Sequence, residues 1–562
     1  MSRTEWSTPA LAGVLIAATA LFLTLVFKHI SYPLIWHDES DTVMFGQRVL
    51  EYGYPKVHGP KNIVYGLKDE LRGRVHETFD AYRGAPWGYY YFAAIGVALA
   101  QHSENLYAKT ARLRLPFALI GVLGLAVLLL AVLPSVGSRP AKWTFAIAFV
   151  LFSTYSISLI LHIREARYYS LVIFLAACFI YVFNRFHVFK DLRFGRYASL
   201  VPLLLLAFFN TFYPAFAVFL VATGLHDIAH ALRQPGNPHE RLAWLLRAAL
   251  PPAIAVACAL PLLMFFDFVE QVGGWLDEFG ASFDSYLRSL RVVGANLLRY
   301  EFLAPAIVMR LAVEGQRWMS KGEALPAPAR QRLAISNFLL LLAVTYWVIV
   351  ARTPFIFERY FIALSPVISM MLLLDGFTFR DQLRTSRAST PRRVLGILSA
   401  GTFGICLGAT LWVRLPEFRG RLYEIRHQYR GPLDYVIPYL KEGYPNTENL
   451  VIATNYEDPA YMYYLGSHVI VGYYGADLER ELKLQPDIIV PRRWPQQFWA
   501  LQTLAARADY RKTVFPVESL MTNSFPGLSP RSPGGLVHQF RTRLAEAPQD
   551  RLVILERTSR GP

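Results

Sequence analysis

Residues 114–134 read RLPFALIGVLGLAVLLLAVLP, and after Arg114 this run carries no charged residue. As a helix, a run of that length crosses the ~30 Å hydrocarbon core of a bilayer while satisfying its own backbone hydrogen bonds. Residues 9–27 and 394–413 read the same way. Shorter or more polar runs follow the pattern at 142–162, 168–184, 198–211, 214–230, 247–266, 293–313, 333–351 and 360–376. The expectation is a mainly α, polytopic membrane protein with about eleven transmembrane helices. The first run lacks a small-residue cleavage site and reads as an uncleaved anchor; the run at 293–313 is the weakest, since Arg299 and Glu301 interrupt it.

The whole chain agrees with that run. Of 562 residues, 54% are hydrophobic, 14% aromatic and only 17% charged, against ~25% charged in a soluble domain. A soluble enzyme with a single core, a disordered chain and a nucleic-acid binder with a basic surface are excluded. The net charge of +16 then belongs to loops on the cytoplasmic side. With the N-terminus inside, the inner loops collect Arg185, Lys190, Arg193 and Arg196, and later Arg380, Arg384, Arg392 and Arg393. The outer loop at 162–168 holds only Arg164 and Arg167, and the turn at 210–214 holds none. The expected location is the inner or plasma membrane, multi-pass, with a cytoplasmic N-terminus.

Residues 1–414 form the expected membrane domain, in which 28–113 is one large outer loop. Within it PWGYYYFAAIGVALAQ (86–101) is short and begins with aromatics, as a juxtamembrane helix does. Residues 415–562 read as a soluble periplasmic or extracellular α/β domain: NLVIATNY (449–456), HVIVGYYG (468–475), DIIVP (487–491) and RLVILER (551–557) are β-rich, with helical stretches between them. Asp458-Pro459 and Ala476-Asp477 mark helix starts. No phosphate-binding glycine loop follows a strand, so no nucleotide cofactor is expected. Cys178, Cys258 and Cys406 all lie in apolar runs, which leaves the soluble parts without disulfides.

Chemistry-bearing residues gather at the outer ends of the spans. His37-Asp38-Glu39 follows the first span directly, and an acidic pair there is a candidate base or ion site. The plain alternative is a solvated loop in which Ser40 or Asp41 caps a helix over 42–52. Arg164-Glu165-Ala166-Arg167-Tyr168 fills the next outer loop, and Glu358-Arg359-Tyr360, with Arg352 nearby, stands at the outer end of a later span. Arg and Tyr also serve as interface anchors. Asn210-Thr211-Phe212-Tyr213-Pro214 is an uncharged polar turn. Together these loops offer a carboxylate base, arginines able to grip a phosphate and tyrosines suited to a sugar.

The order of these motifs resembles the GT-C superfamily of membrane glycosyltransferases, in particular glycosyltransferase family 39, with the protein O-mannosyltransferases and the lipid A aminoarabinose transferases. The family's acidic pair after the first span is matched by Asp38-Glu39, and its Pro-aromatic juxtamembrane helix by Pro86 to Tyr91. Its Arg/acid loop is matched by Arg164 to Tyr168, and its later Arg-Tyr motif by Arg359-Tyr360 through Pro366. The resemblance covers about residues 1–415. It implies an inverting transferase that moves a sugar from a polyprenyl-phosphate donor to a hydroxyl or phosphate acceptor on a glycan, lipid or protein. Asp38 and Glu39 would be catalytic, and Arg83, Arg164, Glu165, Arg167, Tyr168, Glu358, Arg359 and Tyr360 would bind substrate. Metal dependence stays open, with His37 and Glu39 as candidate ligands. Arg83 stands where the lipid A enzymes carry a lysine, and 267–292 is too short for a β-trefoil. A lipid-linked glycan flippase would need polar or broken helices near the bilayer midplane, and an oligosaccharyltransferase usually carries a Trp-Trp-Asp signature that 415–562 lacks.

Overall fold

The structure, a computed structural model, describes residues 8–64, 74–233, 237–278, 282–320, 325–353, 356–385, 390–475, 477–519 and 544–558. Each of the eleven apolar runs lies in helix, although the pieces differ in kind. Seven single helices among the described residues are long and apolar enough to cross a membrane: Pro9–Phe27, Leu106–Ser135, Tyr169–Val188, Tyr213–Arg233, Pro238–Phe265, Ala327–Val350 and Thr390–Arg426. Two expected straight spans are broken. The run at 142–162 bends by 78° between Arg139–Tyr155 and Ile157–Ile163, and the run at 293–313 bends by 81° between Phe283–Tyr300 and Leu303–Met319. Counting each bent pair as one span gives nine. Phe194–Phe209 is shorter, and Leu364–Thr385 completes the bundle.

The last helix corrects the expected limits. It runs 37 residues, Thr390–Arg426, so the expected boundary between 414 and 415 falls inside one continuous helix. At ~1.5 Å per residue such a helix is too long for the hydrocarbon alone. Its C-terminal turns therefore extend beyond the apolar layer and carry Arg421 and Glu424, both buried against the rest of the fold.

The segment after the first span also folds differently from expectation. Helix His37–Tyr52 starts at His37, with Trp36 as its extended N-cap residue and no side-chain cap. Ser40 and Asp41 thus lie inside the first turns and are not caps; the Ser40 hydroxyl donates to the carbonyl of His37 instead. The helix ends at Gly53, whose φ of 84° closes a left-handed cap. The aromatic run forms helix Gly88–Ala100, which packs on His37–Tyr52 closely enough that a Cβ at Gly46 would stand 3.0 Å from the Ala94 backbone nitrogen.

Beyond the bundle lies a five-stranded sheet in the order His468–Val471, Val451–Thr454, Ile488–Val490, Arg551–Arg557, Tyr510–Glu518. The first three strands are parallel, and the last two join antiparallel. Asp458-Pro459 opens helix Asp458–Leu465, and Gly466 at φ 67° ends it, so the chain returns to pair His468–Val471 beside Val451–Thr454 in a short crossover. The strand Tyr510–Glu518 had no clear apolar alternation in sequence because its first residues face solvent on an edge.

The sheet domain is fastened onto the segment that follows the first span. Asn62 donates to the Ser467 carbonyl (2.9 Å) and accepts from the Val469 N–H (2.8 Å), which covers the edge strand. Asp434 accepts from the Leu34 N–H at 3.1 Å, and the Tyr464 hydroxyl accepts from the Ile35 N–H at 3.3 Å. These bonds fix where Trp36, His37 and Asp38 enter their helix.

Candidate functional site

Asp38 lies in the first turn of its helix, with its side chain 23% exposed. Its Oδ2 accepts from Arg359 Nη2 at 2.8 Å, and Arg167 Nη2 stands 3.6 Å from the same oxygen. Arg167 comes from the turn between the helices Ile157–Ile163 and Tyr169–Phe183. Through Nη1 it donates to the Asp38 carbonyl (2.9 Å) and to Thr42 Oγ1 (2.8 Å). Arg359 belongs to a single helical turn, Glu358–Phe361. Three elements far apart in sequence therefore meet at one end of the bundle.

Aromatic rings hold both guanidinium groups. Arg359 lies over Trp36 (4.9 Å), Phe357 (4.5 Å) and Tyr360 (5.6 Å), while Arg167 lies over Tyr168 (5.4 Å) and Tyr89 (5.8 Å). Such contacts favour a desolvated cation that still has donors to offer. Arg167 Nε is buried with no hydrogen-bond partner among the described residues. Burial alone would raise the Asp38 carboxyl, but Arg359, Arg167 and His37 outweigh it and hold the group below the usual carboxylate range. The polar turn joins the wall: Phe212 stacks on Tyr168 at 4.8 Å, and the Asn210 carbonyl accepts from the Gly88 N–H.

The remaining expected residues serve other contacts. Glu39 is fully buried and points away from Asp38: Arg114 donates to it twice, from Nε to Oε1 at 2.8 Å and from Nη2 to Oε2 at 2.6 Å, and the Ala166 N–H adds a third bond at 2.8 Å. Glu165 approaches His162 Nδ1 at 3.4 Å. Arg164 donates to the Lys28 carbonyl. Glu358 accepts from Ser158 and from both terminal nitrogens of Arg421, so it ties its turn to the long helix Thr390–Arg426. Arg83 is not among the ion-pair partners of Asp38. His37 packs against both Tyr456 (4.8 Å) and Tyr473 (4.9 Å) of the sheet domain, whose rings lie 6.0 Å from each other. The oxygens of Glu39 are already engaged by Arg114 and the Ala166 N–H.

Sequence reasoning missed Arg114 and Arg421, the two cations that neutralise buried Glu39 and Glu358. Arg114 opens an apolar span, where an arginine signals a buried acidic partner; Arg421 lies beyond the apolar run 394–413 and carried no such signal. Tyr456 and Tyr473 carried no signal at all, because only docking of the sheet domain brings them to His37.

Fold and site together define a polytopic helical membrane protein with an arginine-held carboxylate at one end of its bundle, roofed by a mixed α/β domain. In comparison with solved structures, the chain is similar over 99% of its length to the crystal structure of ArnT from Cupriavidus metallidurans bound to undecaprenyl phosphate, matching 100% of that chain at 13% sequence identity and a TM-score of 0.48. No family model matches the sequence, and no curated protein matches it.

Proposed function

We propose that the chain is a GT-C-type membrane glycosyltransferase, which moves a sugar from a polyprenyl-phosphate donor to an acceptor hydroxyl on the outer face of the membrane. The observation that carries this reading is Asp38 held between Arg359 at 2.8 Å and Arg167 at 3.6 Å. A carboxylate between two ring-backed guanidiniums marks a place built for an anion. In the structure the Asp38 carboxylate occupies that place.

The donor phosphate competes for the same two arginines through bidentate hydrogen bonds. As they turn to the phosphate, Asp38 loses part of the positive field that keeps it a weak base, and its affinity for a proton rises. The acceptor hydroxyl then attacks the anomeric carbon and passes its proton to Asp38. The new carbon–oxygen bond forms as the bond to phosphate breaks, and polyprenyl phosphate leaves with the bonding electrons toward Arg167 and Arg359. Attack opposite the leaving group inverts the anomeric configuration. Glu39 holds the helix against Arg114 and takes no proton in this scheme.

Asp38→Asn in the purified full chain tests the reading. Transfer from a polyprenyl-phosphate sugar should fall by ~10²–10⁴-fold, while binding of polyprenyl phosphate is kept or tightened, because the internal competitor for the arginines is gone. Near-normal transfer would remove Asp38 as the base. Lost phosphate binding in a well-folded variant would remove the competition.

A further inference from the structure

The helix that begins beside Arg167 ends in another cluster of ligating groups. Tyr169–Phe183 continues into a wide π-helical turn, Asn184–Val188, and such turns often re-aim a side chain at a functional site. His187 on this turn faces His226 and Asp227 on the helix Tyr213–Arg233. Some 18 residues separate Tyr169 from His187, about 27 Å along a helix axis, so this cluster lies at the opposite end of the bundle from Asp38.

The ligand atoms of His187, His226 and Asp227 all lie within 4.8 Å of one another. Asp227 Oδ1 is 3.1 Å from His226 Nδ1 and 3.8 Å from His187 Nε2. Donors at ~2.0–2.1 Å from a tetrahedral zinc stand about 3.3 Å apart, so small side-chain rotations would seat an ion. Asp227 is 5% exposed, and among the described residues no Lys or Arg comes within ion-pair distance of it. A buried carboxylate is normally paired with a cation or bound to a metal. Phe183 stacks on His187 at 4.3 Å and meets His226 edge-on at 4.8 Å, which holds both imidazoles in place. The Tyr197 hydroxyl lies 3.1 Å from His187 Nε2, and the His226 side chain, 25% exposed, leaves an entry path.

We propose that His187, His226 and Asp227 bind a divalent transition-metal ion of the Zn²⁺ class, with water in the fourth position. Two neutral imidazoles and one carboxylate suit that class better than Mg²⁺ or Ca²⁺, which prefer all-oxygen shells. The ion would tie the π-helical turn to the neighbouring span; it would take His187 Nε2 from the Tyr197 hydroxyl, which is then left to hydrogen-bond the bound water.

The test uses the full chain, purified without a histidine tag, stripped with chelator and reloaded with Zn²⁺ or Co²⁺. The protein should retain about one equivalent of Zn²⁺ per chain, and Co²⁺ should give a visible ligand-field absorption of a tetrahedral site. Asp227→Asn, which keeps shape, and His226→Ala should each weaken binding by ~10-fold or more, while His102→Ala leaves it unchanged. Failure to retain zinc or to show the cobalt band, or retention unaltered in both variants, would overturn the site. None of these readouts depends on glycosyl transfer.

Discussion

Asp38 and Arg359 are 321 residues apart in the chain, yet Oδ2 and Nη2 meet at 2.8 Å. The ion pair joins the entrance of helix His37–Tyr52 to the turn that precedes Leu364–Thr385, so any anion that takes Arg359 must displace Asp38 or share its partner.

This pair sets the first prediction, a pH dependence. The carboxyl of Asp38 is depressed in the folded chain because Arg359 and Arg167 overcome the effect of burial. Its contribution to stability is therefore present above the unfolded value of ~3.9 and is lost as pH falls through the lower folded value. Arg359→Gln removes the nearest cation and lets burial raise the group. The stability lost by the variant should be largest near neutral pH and should shrink as pH falls through ~4. Thermal unfolding in detergent at a series of pH values checks this; a gap independent of pH would mean that the pair does not titrate with Asp38.

Arg167 supplies the second prediction. One of its nitrogens serves both the Asp38 carbonyl and Thr42, while another faces the Asp38 carboxylate. Lysine keeps the charge but loses this fork. Arg167→Lys should weaken donor binding by ~1.5–3 kcal/mol, roughly 10- to 150-fold. Unchanged affinity for polyprenyl phosphate would return Arg167 to the role of an interface anchor.

Glu39 and Arg114 form the third case, since both side chains are almost wholly buried. Glu39→Ala leaves Arg114 uncompensated and should cost ~3–5 kcal/mol of stability. Removing both charges, as in Glu39→Leu with Arg114→Leu, should recover part of that loss. Thermal melts of the single and double variants decide it. If Glu39→Ala melted normally but failed to transfer, Glu39 would belong to the chemistry.

Docking of the sheet domain rests partly on Asn62, which satisfies Ser467 and Val469 at the edge strand. In Asn62→Ala the Val469 N–H and the Ser467 carbonyl lose a partner, at ~1–3 kcal/mol. Limited proteolysis should cut the variant faster between residues 426 and 475 than the parent chain, with the helical bundle remaining intact. Equal cutting rates would show that Asn62 is dispensable for docking.

Sidedness follows from the charge distribution. After replacement of Cys178, Cys258 and Cys406, single cysteines at Glu104 or Gln502, both exposed, should react with an impermeant maleimide in spheroplasts. One at exposed Ser138 should react only after the membrane is opened. The reverse pattern would invert the bundle and place Asp38 in the cytoplasm.

The apolar runs were readable from residue order alone, since the need to cross hydrocarbon with every backbone group satisfied leaves little choice but helix. The strands at 451–454, 468–471, 488–490 and 551–557 were readable for a related reason, because buried strands need short β-branched runs. The break near Ser156 was harder to see, because composition stays apolar across that bend and only the neighbouring helices determine where the axis turns; near Glu301 the charges of Arg299 and Glu301 marked an interruption but not its angle. The partners of the acidic pair were beyond the sequence. Asp38 and Glu39 are adjacent residues, and a loop would leave both free to share one pocket. Once His37–Tyr52 is helical, each residue is turned ~100° from the last. Asp38 then meets Arg359 and Arg167, and Glu39 meets Arg114, because tertiary packing places those arginines on different sides of the same turn.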